Sequence, residues 1–113
     1  MKKNVAIDID GILTLEDLVK DWWSMTPSET IPLYRSAKPN LENIGLVRGL
    51  YKSGYEIRLY TSRDHAYKPV TAAWLKKYKV PYHEINFNKL FYDAFLDDKA
   101  TNSPEELLRM LHG

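Results

Sequence analysis

Two carboxylates two positions apart, Asp8 and Asp10, close an apolar run and precede a glycine in Val5-Ala6-Ile7-Asp8-Ile9-Asp10-Gly11. Side chains alternate along a strand, so this spacing predicts both carboxylates on one face and Ile9 on the other. Two like charges about 4 Å apart repel by roughly 1 kcal/mol in water and about 4 kcal/mol at an effective dielectric of 20. A divalent cation held by oxygen ligands is the simplest offset. An Asp-x-Asp-Gly also occurs where an ordinary strand meets an acidic turn, so the motif needs support from elsewhere in the chain.

That support comes from three later places. Thr61-Ser62-Arg63 follows the run 55–60, Asp97-Asp98 follows the run 92–96, and Lys89 stands just before the latter. Brought to one edge of a sheet, they assemble four carboxylates, two hydroxyls with their backbone N–H groups, and an ammonium. Carboxylates with few nitrogen ligands suit Mg²⁺, which otherwise keeps water and substrate phosphate oxygens. Lysine and hydroxyl donors suit phosphate. An aspartate can attack phosphorus and form an aspartyl-phosphate. A neighbouring aspartate can protonate the leaving group and then deprotonate water.

The elements that must position these residues alternate between strand and helix. The run from Val5 reads as a buried strand of a parallel sheet, and Gly11 lets the backbone turn sharply after it. Leu15, Leu18, Val19 and Trp22 recur at helical spacing and predict a short helix within 12–23. Residues 24–39 contain Pro27, Pro32 and Pro39 without clear periodicity and read as a loop or flap. Asn40 caps a helix that starts at Leu41, with Leu41, Ile44, Val47, Leu50 and Tyr51 as its apolar stripe and Gly54 at its C-cap. Gly45 and Gly49 cost up to about 1 kcal/mol each in a helix, and the expected return is close packing on the sheet. Residues 55–60 form the second strand. A helix over 69–78 follows, with Pro69 in its first turn and Val70, Ala73, Trp74 and the Lys77 stem toward the sheet. Residues 82–87 and 92–96 are the third and fourth strands. Ser103 caps a last helix, with Pro104 and Glu105-Glu106 in its first turn. Such alternation means βαβ units. The expected fold class is α/β: a Rossmann-like parallel sheet flanked by helices, with ligands beyond the carboxyl ends of its strands.

The chain has 113 residues, 44% of them hydrophobic and 27% charged, which fits one domain over 1–113 with one modest core. A net charge of +1 carries no electrostatic footprint for nucleic acid or a membrane surface. The Lys76, Lys77, Lys79 cluster suits the solvated end of a helix. Absence of cysteine excludes disulfide and thiolate chemistry. The first apolar run stops at Asp8, too short for a signal peptide, and no window approaches a membrane span. The expected location is the cytoplasm.

The order Asp-x-Asp-Gly, strand-Thr-Ser-Arg, Lys, strand-Asp-Asp resembles the haloacid dehalogenase superfamily in its phosphatase branch. The resemblance runs from about Asn4 to Ser103. It implies a Mg²⁺-dependent phosphoric monoester hydrolase with Asp8 as nucleophile and Asp10 as general acid/base. Thr61, with Ser62, would bind the phosphoryl oxygens, and Lys89 would balance charge on the nucleophile and phosphate. Asp97 would bind Mg²⁺ together with the Asp8 carboxylate and the Asp10 backbone carbonyl. Asp98 would bind through water or exchange roles with Asp97. An Asp at position 10 favours phosphoryl transfer over dehalogenation, because dehalogenases of the superfamily lack that acid. Ile12 departs from the usual Thr or Val and touches flap packing rather than the chemistry. Lys68, Lys79 and Lys99 are rivals to Lys89. The small size and the stretch from Thr61 to Leu75 are similar to short phosphatases linked with polysaccharide synthesis, and 5′-nucleotidase-like members are the other sub-assignment.

Three functions compete on this reading: a phosphatase acting on a sugar phosphate or nucleotide, a non-catalytic metal-dependent phospho-binding module, and a nucleic-acid-end phosphatase. Receiver domains gather similar groups in a different chain order. Arg63 has two roles open to it, a substrate contact or a structural ion pair. His65 lies near the active edge, as a substrate contact or a surface residue. Related phosphatases often carry a separate cap domain. Here only the segment 12–39 is available, too short to bury a core of its own, so it is expected to act as a flap. Trp22, Trp23, Leu33 and Tyr34 are candidate apolar contacts for the interface of a homo-oligomer that roofs the site, with the core as the alternative for the two tryptophans.

Overall fold

The structure, a computed structural model, describes residues 3–18 and 25–88. Three parallel strands form its sheet in the order β1-β2-β3, with β1 at Asn4–Asp8, β2 at Glu56–Tyr60 and β3 at Glu84–Asn86. Helices α1 (Pro27–Arg35) and α2 (Leu41–Lys52) lie in the chain between β1 and β2, and α3 (Lys68–Lys77) lies between β2 and β3. This is a small α/β arrangement compatible with a Rossmann-like sheet. The expected fourth strand and last helix, together with Trp22, Trp23, Lys89, Asp97 and Asp98, lie outside the described residues.

Burial alternates along the strands. Val5, Ile7 and Ile9 of the first strand region and Ile57 and Leu59 of β2 are buried, while Asn4, Ala6 and Arg58 are exposed. The apolar run was expected to be buried throughout; among the described residues it is buried on one face only. The helices cover that face. From α2 come Ile44, Val47 and Leu50, and from α3 Trp74 and Leu75, all in one core with the strand residues. Leu41 and Tyr51, expected in the α2 stripe, are exposed instead, and Tyr51 stacks on His83 at 4.9 Å.

The ends of α2 follow the sequence. The Asn40 side chain accepts from the Asn43 backbone N–H, satisfying one of the amides a helix start leaves unpaired. Gly54 has φ +94, the left-handed conformation that ends a helix cheaply only at glycine. Gly45 and Gly49 do not pack closely on anything: a Cβ at either position would meet no atom within 4 Å.

Two local expectations are overturned, and a third lies partly outside the described residues. Of the span 12–23 expected to hold a short helix, residues 12–18 form turns and a bridge, with the amides of Ile12, Leu13 and Thr14 all turning back to the Ile9 carbonyl, and 19–23 lie outside the described residues. The proline-rich stretch is not a loop but contains α1. Pro27 sits in its first turn, where no amide partner is missed. Glu29 Oε1 accepts from both the Thr26 backbone N–H and the Thr26 hydroxyl, and the Thr26 carbonyl accepts from Thr30 N–H. That Thr-x-x-Glu signature outweighs the single hydrogen bond lost at Pro32. In α3 the buried face is Thr71, Trp74 and Leu75, one step round from the expected Val70, Ala73, Trp74 and Lys77. The reason is polar: Thr71 faces inward to meet an arginine.

Candidate active site

The loop after β1 is built from its own hydrogen bonds. Gly11 takes φ +82, and its amide donates to the Thr14 hydroxyl (3.0 Å) and the Glu16 carbonyl (3.1 Å). The Thr14 hydroxyl in turn donates to Glu16 O at 2.6 Å. The loop is then tied to the start of α2: Asn43 Nδ2 donates to Ile12 O, and Asn40 N–H to Leu13 O. Residues 9–15 are therefore held on two sides, and the positions of Asp8 and Asp10 follow from them.

Parallel pairing sets the opposite side. Asp8 is in register with Tyr60, and Tyr60 with Asn86. The residue just after β2, Thr61, donates its backbone N–H to the Asn86 carbonyl at 2.9 Å. Asp8, Asp10, Thr61, Ser62 and Arg63 are thus brought together at the carboxyl edge of the sheet, as the sequence predicts. Asp8 is half-buried, and its Oδ1 accepts from Ile9 N–H at 2.8 Å.

Asp10 and Arg63 form the centre of this edge. Arg63 Nε and NH2 donate to the two Asp10 oxygens at 3.1 and 2.8 Å, a bidentate pair whose side chains are each 2% exposed. Arg63 NH1 donates to the Thr71 hydroxyl at 2.9 Å. The guanidinium also lies 3.7 Å over the centroid of the Tyr34 ring, a cation–π contact that ties α1 to the site. Thr61 completes the network, with its hydroxyl donating to Asp10 Oδ2 at 3.3 Å and accepting from Arg63 N–H at 3.1 Å. Of the two roles open to Arg63, the structure shows the ion pair. Planar guanidinium fork and carboxylate match in shape, so the pair specifies orientation as well as charge.

This changes the argument about repulsion between the two aspartates. Arg63 lies against the Asp10 carboxylate and offsets its charge. Among the described residues no group of three His, Cys, Asp or Glu side chains is placed to hold a metal ion. The oxygen chemistry of this edge fits Mg²⁺, since Asp8 supplies a hard carboxylate; the Asp10 backbone carbonyl as a further ligand is what the family resemblance implies.

The sequence offers Tyr34 only as an apolar contact that roofs the site, not as a partner of Arg63, and does not point to Thr71 at all. Burial pushes the Tyr34 phenol up to about 12, an effect that the Arg63 charge opposes and the Asp10 charge reinforces. The ring meets Tyr67 edge-on, centroids 5.4 Å apart. The signal for α1 was Thr26-Pro27-Ser28-Glu29; no sequence signal pointed to Thr71. His65 is exposed and packs on Phe87, with its amide donating to Asn88 Oδ1. Asp64 closes the same turn by accepting from Ala66 N–H and Asn88 Nδ2.

No known protein family and no curated protein matches the chain. Solved structures do. A crystal structure of a target protein from Vibrio cholerae is similar over 97% of this chain and 94% of that one, with TM-score 0.70 and 25% identity. A chain of the Pnkp1/Rnl/Hen1 complex matches 98% of this chain with TM-score 0.61 and 17% identity. A chain of the Pnkp1/Rnl/Hen1 RNA repair complex does so with TM-score 0.60 and 19% identity. The present chain spans 42% and 32% of those two chains, and the likeness to them is one of fold.

Proposed function

We propose that the protein is a Mg²⁺-dependent phosphatase of the haloacid dehalogenase type, hydrolysing a phosphomonoester through an aspartyl-phosphate on Asp8. The observation that carries this reading is the convergence of Asp8, Asp10 and Thr61 on the carboxyl edge of neighbouring parallel strands. A carboxylate nucleophile, a second carboxylate two residues on and a hydroxyl across the strand pair are the groups that phosphoryl transfer to aspartate uses.

In this reading Asp8 attacks phosphorus as the bond to the leaving oxygen breaks. Asp10, once it has left Arg63 and taken up a proton from solvent, gives that proton to the leaving oxygen and then takes one from the water that attacks the phosphoryl-aspartate. To do so Asp10 must release at least one bond to Arg63 and turn toward the substrate. Arg63 therefore acts as a positioning residue that stores Asp10 in a fixed place. Thr61 and Ser62 border the phosphate. By resemblance, Lys89 balances charge and Asp97 and Asp98 complete the oxygen ligands. Bound Mg²⁺ supplies charge neutralisation at the phosphate.

Likeness of fold to chains of an RNA repair complex favours a second reading, a phosphatase acting on RNA ends. The test of the main proposal is hydrolysis of acetyl phosphate with Mg²⁺. Chelation is expected to abolish turnover, and Ca²⁺, with its larger and looser shell, is not expected to restore it. Full turnover in excess chelator removes the metal from the proposal.

A further inference from the structure

If Asp10 is to move a proton, its pair with Arg63 has to open, and the two partners are held unequally. The bonds to the Asp10 carboxylate come from Arg63 and, at 3.3 Å, from the Thr61 hydroxyl. Arg63 is fixed at its backbone and at its head. Its N–H donates to Thr61 Oγ1 at 3.1 Å, and its carbonyl accepts from Asn88 N–H at 2.9 Å. Its NH1 donates to Thr71 Oγ1 at 2.9 Å, and the Tyr34 ring lies 3.7 Å from the guanidinium carbon. Opening therefore moves the carboxylate and leaves the cation where it is.

A cation that is 3% exposed and has lost its carboxylate is costly to keep. What stays on it is the Thr71 hydroxyl and the Tyr34 ring, from helices α3 and α1. A ring attracts a bare cation more than one whose charge a carboxylate cancels. The contact with Tyr34 is thus stronger after Asp10 turns away than before. An interaction that differs between two states shifts the balance between them.

We infer that Tyr34 and Thr71 are positioning residues for the proton transfer. They keep Arg63 in place while Asp10 is away from it, and so set how readily Asp10 reaches the leaving oxygen. The inference rests on the phosphatase reading.

The test compares kcat/KM of the full chain for phenyl phosphate, whose basic phenolate leaves better with a proton, and for acetyl phosphate, whose acetate leaves without one. This constant stops at phosphoryl transfer to Asp8, so the ratio of the two isolates the proton that Asp10 gives. Tyr34→Leu should lower the ratio about tenfold. Tyr34→Phe keeps the ring and should leave the ratio near its wild-type value. Thr71→Val keeps the shape without the acceptor and should lower the ratio in the same sense, and Thr71→Ser should restore it. A loss shared equally by both esters, as a general disturbance of the fold would give, overturns the inference. So does an unchanged ratio.

Absence of turnover on both esters defeats the phosphatase reading instead, and urea unfolding then decides the claim about the cation. Asp10→Asn removes the carboxylate charge from Arg63. In that background Tyr34→Leu should lower the urea midpoint more than it does in the wild-type chain, whereas Tyr34→Phe should not. A double variant that no longer folds, although each single variant does, shows the same coupling. Thr71→Val takes the place of Tyr34→Leu in the cycle if the latter does not fold. Equal shifts in the two backgrounds overturn the inference.

Discussion

The edge formed by the strand ends and the helix α1 that lies across it are held by different forces. At the edge, Asp10, Thr61, Arg63 and Thr71 are joined by directed, buried polar bonds. Each side chain there has one geometry that satisfies it, and losing a partner leaves a buried charge. Helix α1 is held by its own capping at Thr26–Glu29, by Tyr34 under the guanidinium, and by packing against α3, where Trp74 Nε1 donates to Ala37 O just past the helix. Such a division suits a rigid floor under a roof able to shift, since elements that move are drawn from the less stable parts of a fold.

The largest expected effect breaks the floor. Arg63→Met leaves Asp10 buried without its partner and should cost about 3–5 kcal/mol in urea unfolding. Adding Asp10→Leu to remove both charges should recover a large share of that loss. A single variant as stable as wild type would mean the buried pair does not hold the edge together.

A smaller effect is expected where the roof meets α3. Trp74→Phe removes the indole donor and leaves the Ala37 carbonyl unpaired, at about 1–3 kcal/mol. Because this bond is remote from the phosphate, KM should change more than kcat. Equal loss in both would place α1 within the floor rather than over it.

Smaller again is the cap of α1. Thr26→Ala should cost roughly 1 kcal/mol, read by thermal unfolding. The carboxyl of Glu29 is held below its ordinary 4.5 by the Thr26 hydroxyl and then by the Thr26 amide. A depressed value means that this stabilisation is present above 4.5 and is lost as pH falls through the folded-state value. The protection of the α1 amides relative to the unfolded chain at the same pH should therefore fall on acidification, and more in wild type than in Thr26→Ala.

The last effect is absent at neutral pH. With the Tyr34 phenol raised to about 12, the unfolded chain releases this proton near 10 while the folded chain keeps it. Stability should fall as pH rises from about 10 to about 12, and Tyr34→Phe should flatten that fall. A tyrosine titrating normally in the folded protein would show the ring is not enclosed between Arg63 and Tyr67.

These two regions also differ in how far they could be read from sequence. The floor was legible because strand alternation and register are short-range rules: Asp8, Asp10, Thr61 and Ser62 each follow a strand, and parallel pairing brings strand ends together. Asn40 and Gly54 marked α2 for the same local reason. The roof was not legible, because three prolines outweighed the Thr26–Glu29 cap and hid α1. Arg63 left two roles open until the fold placed Asp10 beside it, and Thr71, eight residues from Arg63, sits inward for a partner that helical periodicity does not reveal. At the start of the span 12–23, the Ile9 carbonyl draws three amides into a turn that the apolar spacing does not reveal.

The claim that most needs a direct test is that Asp8 becomes phosphorylated. Acid quenching during turnover of acetyl phosphate with Mg²⁺, followed by peptide mass spectrometry, reads it. The account predicts a phosphate adduct on the peptide carrying Asp8, accumulating in Asp10→Asn because the water attack lacks its base, and absent in Asp8→Asn. An adduct that persists in Asp8→Asn, or one mapped to another residue, would contradict the account.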